Sequence, residues 1–436
     1  MSMSSTKKEN RKNLLKRIGI TVGILLIYDL LTYVTIPGVD PRQLSKITNN
    51  PALTMMAMFS GGGFQTFSLM SMGLSAYISS QIIVQLMQSN VIPILTEWSQ
   101  EGEIGRKKLT KLTRWLTLIL GFVQGIGIVA SINSLSQFGY AVDNSWWTYL
   151  VIGTLLTAGT FLAMWFGDQI TQYGLGNGIS VIIMAGIVKR LPDMAKSFYL
   201  SVSTSAGVKW DLVVITLVLL VVLTAIIIWF NRSEYRLPVQ YTRTANRLTD
   251  NTVSKDSYLP LKLIVPGVVP VIFASSILTI PQTIMMFVQA KSDSVAARIV
   301  NDFFSLNSPS GTVLYGILIV LFTYIYSLVQ VEPNKLADNL SKQDAYIPGV
   351  WPGDSTAIFV KNLIYDLDLP GSTFLALISV VPLIASSLIS PSLEMGLSGS
   401  SLLIIVGVLT DMGRQIEGLK VKEGFSDFMS LTYSFK

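Results

Sequence analysis

Long apolar stretches recur along the chain and commit it to one solvent, the bilayer, whose hydrocarbon core is about 30 Å thick. They lie at Ile18–Ile36, Phe67–Met87, Trp115–Ile132, Thr148–Phe166, Leu212–Phe230, Leu263–Val288, Val313–Val329, Ser372–Ile389 and Leu397–Leu409. A tenth, weaker stretch begins at Gly178 and ends near Leu191–Pro192, or continues distorted toward Leu200. Only 13% of the 436 residues are charged, against about 25% in a soluble domain. An all-α polytopic membrane protein of about ten transmembrane helices is therefore expected.

The distribution of cations tests that count, because cytoplasmic loops concentrate Lys and Arg. Lys7 to Arg17, Arg106 to Arg114, Arg232 to Arg247, Lys335 to Lys361 and Arg414 to Lys422 all fall on one side, which makes both termini cytoplasmic. The net charge of +6 is explained by this orientation signal, so no direct nucleic-acid binding is expected. One loop dissents, with Lys189, Arg190, Lys196 and Lys209 on the predicted outer side. The polar, basic N-terminus leads into an apolar run with no small-residue cleavage site, which reads as a retained first span.

The chain has no His and no Cys, which removes thiol nucleophiles, imidazole bases and the usual zinc and haem ligands. No Gly-x-x-x-x-Gly-Lys-Ser/Thr loop occurs. Neither an enzyme nor a cofactor is expected, and any energy for transport must come from partners.

Two polar cytoplasmic connectors, 231–261 and 331–370, exceed what joining their spans needs, and loops of that length tend to carry function. Ahead of the second span, Leu53–Phe59 is apolar but too short to cross, and Ser60, Gly61, Gly62 and Gly63 follow. Either this piece dips into the membrane and turns back, which requires a protein-lined cavity, or it lies on the surface as an interfacial helix.

Several segments, in order over nearly the whole chain, carry a likeness. They are Met58 to Gly62 with Ala76 to Leu86, Glu101 to Lys108, Gly174 to Ser180, Pro260 to Lys262 with Gly267 to Ser276, Asn334 to Leu340, and Tyr346 to Gly349. Together they resemble the SecY family, the central subunits of bacterial protein-conducting channels. The resemblance implies two pseudo-symmetric five-helix halves, 1–200 and 201–436, around an hourglass pore. It implies a plug at 53–66, including Met58, Phe59, Ser60, Gly61, Gly62, Gly63 and Phe64, and a lateral gate between the second and seventh spans.

Matched position by position, Leu74, Ile78, Ile179, Ile183, Ile272 and Ile404 fall where the family places its apolar pore ring. Branched aliphatic side chains dewet a narrow path yet offer a passing chain no specific hydrogen bonds. Gln85, Gln124, Ser275 and Ser276 lie near the implied gate, where interhelical hydrogen bonds of about 0.6 kcal/mol each would hold it shut weakly.

The family likeness also implies partners: SecE-like and SecG-like small subunits, and a SecA motor ATPase or ribosome docked on loops that include Arg236, Arg243, Arg247, Lys335, Tyr346 and Trp351. Signal sequences and nascent chains would pass through, and membrane lipid would receive released helices. The chain departs from the family pattern at Trp351, where an Arg is usual, at Asp29 after Tyr28, and at Ala76 in place of a Pro. These departures point to an accessory or divergent paralogue. The competing reading is a secondary transporter of a small solute built from inverted repeats, which would need ionisable groups near the midplane; Asp29 is the clear candidate there, with Asp168 and Asp411 at span ends.

Overall fold

The computed structural model describes residues 3–37, 67–88, 92–135, 146–204, 207–208, 210–241, 258–288, 295–306, 308–389 and 399–433. Helix dominates, because a chain in lipid must satisfy its backbone polar groups within each segment. The helices are α1 Met3–Leu31, α2 Ser75–Gln88, α3 Pro93–Gln100, α4 Glu103–Leu135, α5 Trp146–Tyr173, α6 Gly178–Val202 and α7 Trp210–Arg232. They continue with α8 Val269–Val288, α9 Val295–Phe304, α10 Pro309–Val331, α11 Pro333–Lys342, α12 Asp354–Ile389 and α13 Gly399–Tyr433.

Helices occupy all ten places where a span was expected. Among the described residues, α4, α5, α7, α10 and α12 are long and apolar enough to cross by themselves, and α2 with α3 adds a sixth candidate bent by 99°. The others fall short for local reasons: α1 starts in the basic N-terminus, α6 carries Lys189, Arg190 and Asp193, the apolar part of α8 counts only from Val269 to Gln282, and Asp411 and Arg414 follow the apolar start of α13.

The second span differs from expectation. Its first part, 67–74, is not helical, and the helix starts at Ser75. The Leu69 amide donates to Val34 O at 3.0 Å, and the Ile36 amide to Phe67 O at 3.1 Å, around an antiparallel bridge between Thr35 and Ser68. Gly73 takes φ 49°, which breaks the helical run. Phe67, Met70 and Leu74 are fully buried, so this irregular backbone is shielded by protein, the condition for its survival at membrane depth. Gly159 on α5 makes room for it: a Cβ there would lie 1.8 Å from Leu69 O.

Helices from the first part of the chain meet those from the second along two seams. On one, α8 packs against α2 and α4; on the other, α13 packs against α6 and α1. Between them lies one large apolar cluster that includes Tyr28, Leu74, Phe166, Ile183, Ile272, Phe322 and Ile404.

The two long connectors are structured. Strands β3 Glu234–Pro238 and β5 Tyr258–Lys262 pair antiparallel, with Arg236 opposite Pro260. A second antiparallel pair joins β4 Gln240–Tyr241 to β6 Ala345–Tyr346, with the short β1 Ser203–Thr204 and β2 Gly207–Val208 pairing elsewhere. Far from being loop throughout, 331–370 contains α11 and the opening turns of α12. A separate core of Leu237, Val239, Leu261, Leu340, Ile347 and Val360 binds both connectors into one unit.

Candidate conducting path and gate

Leu74 immediately precedes α2, and its carbonyl accepts from the Ile78 amide of that helix at 2.9 Å; Ile179 and Ile183 on α6 are four residues apart and share one helix face. Ile272 on α8 and Ile404 on α13 belong to the same apolar cluster. Five of the six are buried, none more than 6% exposed, and Ile179 packs against them from the edge. All six belong to one large apolar cluster, to which α1, α5, α7, α10 and α12 also contribute. The α6 face is set by its N-cap: Asn177 Oδ1 accepts from the Ile179 amide at 3.1 Å, which satisfies an otherwise orphaned donor. Gly178 lets α5 approach, since a Cβ there would lie 1.9 Å from Gly167 O.

The four polar residues expected near the gate, Gln85 on α2, Gln124 on α4 and Ser275 and Ser276 on α8, behave differently from one another. Ser275 and Ser276 both donate to Ile272 O on their own helix at 2.8 Å, the usual way a mid-helix hydroxyl is satisfied, so these hydroxyls do not bridge helices as expected. Gln85 and Gln124 each bury a side-chain carbonyl with no hydrogen-bond partner. The Gln85 side chain does meet the hydroxyl of Tyr326 on α10. Tyr326 in turn stands edge-on to Phe273 of α8, with centroids 5.8 Å apart. Sequence does not single out Tyr326, because the same helix also carries the hydroxyls of Tyr315, Thr323, Tyr324 and Ser327.

An ion cluster ties α3 and α4 to the junction of α10 and α11. Arg106 of α4 lies 3.6 Å from Glu332, which also pairs with Lys335, and the Lys335 ammonium donates to Ser99 O of α3 at 2.9 Å. Glu332 joins α10 to α11 in a left-handed conformation, φ 47°. Lys335 is thus engaged inside the protein.

The ionisable residues flagged within or beside spans are all paired. Asp29 Oδ1 is 2.5 Å from Lys189 Nζ, Asp168 Oδ2 is 2.9 Å from Arg114 Nη2, and Asp411 Oδ1 is 2.7 Å from Lys262 Nζ. A further acid, hidden in what read as a polar connector, is Asp368: it is fully buried and accepts from Ser327 Oγ of α10 at 2.5 Å, while its Oδ2 has no partner.

On the unit formed by the two connectors, Arg236 stacks over the Tyr258 ring at 4.9 Å, and the Tyr346 hydroxyl donates to Gln240 Oε1 at 2.9 Å. Trp351 is 82% exposed between Gly349 and Gly353, both with positive φ. Residues 58–64 and Arg243 and Arg247 lie outside the described residues.

Long apolar helices packed on two seams around one shared apolar cluster define a polytopic α-helical membrane protein. The chain belongs to the SecY family, whose family model matches residues 68–413. Protein translocase subunit SecY 2 of Lactobacillus kefiranofaciens subsp. kefiranofaciens is 53% identical to it over 411 residues, covering 94% of this chain and 99% of the relative. SecY 1 of the same organism is 40% identical over 425 residues, covering 96% and 97%. A solved protein-conducting channel matches the fold with a TM-score of 0.61 at 15% identity, covering 94% of this chain and 93% of the other. A SecY structure whose plug domain is described as stabilising the closed state matches with a TM-score of 0.64 at 16% identity, with coverage of 94% and 93%.

Proposed function

We infer that this chain is the central channel subunit of a Sec protein translocase. It passively conducts unfolded polypeptides across the cytoplasmic membrane and releases transmembrane segments sideways into lipid. The observation that carries this reading is the meeting of Leu74, Ile78, Ile179, Ile183, Ile272 and Ile404, from four elements, in one apolar cluster. Such a cluster seals against ions by dewetting yet yields to a chain passing through. The halves are 1–200 and 201–436, and the lateral gate is the seam where α2 and α4 face α8, with Gln85, Gln124, Ser275 and Ser276 along it. Residues 53–66 serve as the plug.

Both termini face the cytoplasm in this reading. The joined connectors form the docking platform for a SecA-type motor or a ribosome, with Trp351 as its most exposed large hydrophobic side chain among the described residues. SecE-like and SecG-like subunits complete the complex. The greater identity to SecY 2 than to SecY 1 of one organism, together with Trp351 in place of a motor-coupling Arg, supports an accessory paralogue with restricted substrates. A solute transporter is not favoured, because Asp29, Asp168 and Asp411 are all tied up in ion pairs.

The test is purification of the tagged chain in native lipid with identification of the chains that come with it. A SecE-like small subunit is expected; a complex without one removes the translocase reading. The paralogue reading is tested separately by replacing a housekeeping SecY with this chain and with its Trp351→Arg variant. Full replacement by both would end it.

A further inference from the structure

A groove of about 720 Å³ runs along the outside of the bundle between α10 and α12, lined by Thr312, Gly316, Val320, Tyr324, Ala376 and Val380 among others. Its walls are almost wholly apolar. Val313, Ile317 and Leu321 on its α10 side are exposed, so the groove opens outward to lipid. Toward the cytoplasmic end its character changes. The rings of Tyr324 and Tyr365 lie 6.1 Å apart, and Lys361 Nζ sits 5.9 Å from the Tyr365 centroid. Lys361 is exposed and, among the described residues, forms no ion pair.

We propose that this groove is a binding site for an anionic phospholipid of the cytoplasmic leaflet. An acyl chain fills the space beside Gly316 and Ala376. The two tyrosines stand where the headgroup meets the hydrocarbon, the depth at which amphipathic rings collect, and Lys361 faces the phosphate. Charge complementarity selects this occupant: an apolar slot with one cation at its end matches an amphiphile carrying one negative headgroup. A partner helix would fill the slot and leave Lys361 without a counter-charge. The carboxylates nearby on α12 do not supply one, since Asp368 is turned in against Ser327 and Asp366 lies about 100° round the helix from Tyr365. The site rests on the orientation that places the end of α10 at the cytoplasm.

The complex, purified in detergent, is titrated with phosphatidylglycerol or phosphatidylcholine, and bound lipids are counted by native mass spectrometry. The unaltered protein is expected to retain one phosphatidylglycerol more firmly than phosphatidylcholine. Lys361→Gln weakens that binding about fivefold, the effect of one basic residue at an anionic surface. Ile317→Trp, at an exposed position that tolerates bulk, obstructs the groove and abolishes it. Equal retention of both lipids, or unchanged binding in both variants, overturns the proposal. So does a co-purifying membrane chain cross-linked through Ile317→Cys, which would assign the groove to a partner helix. Retention is read without translocation, so its failure leaves the channel function standing, and loss of translocation leaves the lipid site standing.

Discussion

Asp29 on α1 and Lys189 on α6 stand 160 residues apart in the chain and 2.5 Å apart in the structure, oxygen to nitrogen. The Lys189 ammonium also donates to Thr32 Oγ1 at 2.6 Å and lies 4.3 Å from the Tyr33 ring. Each of the pair is an oddity alone, an acid on a span and a cation on the outer side. Together they cancel, and they pin α6 to the end of α1.

Removing one partner strands the other. An uncompensated charge on a span costs about 2.5–3.5 kcal/mol at the bilayer centre. Asp29 is 45% and Lys189 28% exposed, so Asp29→Leu or Lys189→Leu is expected to cost about 1–2 kcal/mol. The double variant should recover most of that loss, because two leucines leave no stranded charge. Thermal unfolding in lipid nanodiscs reads the comparison, and purely additive losses would show that the pair is not coupled.

Where α10 meets α11, Glu332 holds Arg106 and Lys335 at once. Glu332→Gln should loosen the hold between α4 and α10. Exposed ion pairs are worth about 0.2–1 kcal/mol each, so an approximately fivefold shift toward an open seam is expected. Spin labels on α2 and α8 measure it, and an unchanged distance distribution would assign the cluster a purely local role.

Gln85 and Gln124 bury carbonyls without partners, each a penalty of about 1–3 kcal/mol carried by the closed seam. Gln124→Leu should therefore stabilise that seam and demand a more hydrophobic signal sequence for entry. Gln85→Leu gains less, because it also gives up the contact with Tyr326. Translocation of a graded signal-sequence series distinguishes the two, and relaxed selectivity in Gln124→Leu would contradict the account.

Replacing Ile78, Ile183 and Ile404 together with Asn puts three hydrogen-bonding groups into the apolar cluster. Water then stays in the constriction, ion leak rises, and weak signal sequences pass more readily. Planar-bilayer conductance checks this, and an unchanged conductance removes these residues from the seal.

Hydropathy and cation placement made α4, α5, α7, α10 and α12 legible directly, since length and apolarity suffice for each. The break at 67–74 was not legible, because Phe67, Leu69 and Met70 are as apolar in an irregular strand as in a helix; the Gly73 turn and the Val34–Leu69 hydrogen bond decide it. Asp29 and Lys189 were each visible as anomalies, but their pairing depends on two helices meeting, which no local pattern encodes. The six apolar ring candidates came from motif matching, and the structure gathers them in one cluster. The hydroxyls of Ser275 and Ser276 bond back to their own helix, a choice that composition does not determine. Asp368 escaped notice because polar neighbours made 331–370 read as connector, whereas most of that stretch is helix.

The continuity of α12 has a mechanical consequence. Its 36 residues make a rod of about 54 Å, beginning three positions after Trp351 and running deep into the bilayer. A strand pair fastens the top of this rod to the other connector at Gln240 and Tyr346. A load applied at Trp351 would therefore be delivered down a single shaft rather than dissipated in slack chain. Pro370 and Pro382 are the two joints at which that shaft can turn a push into a tilt.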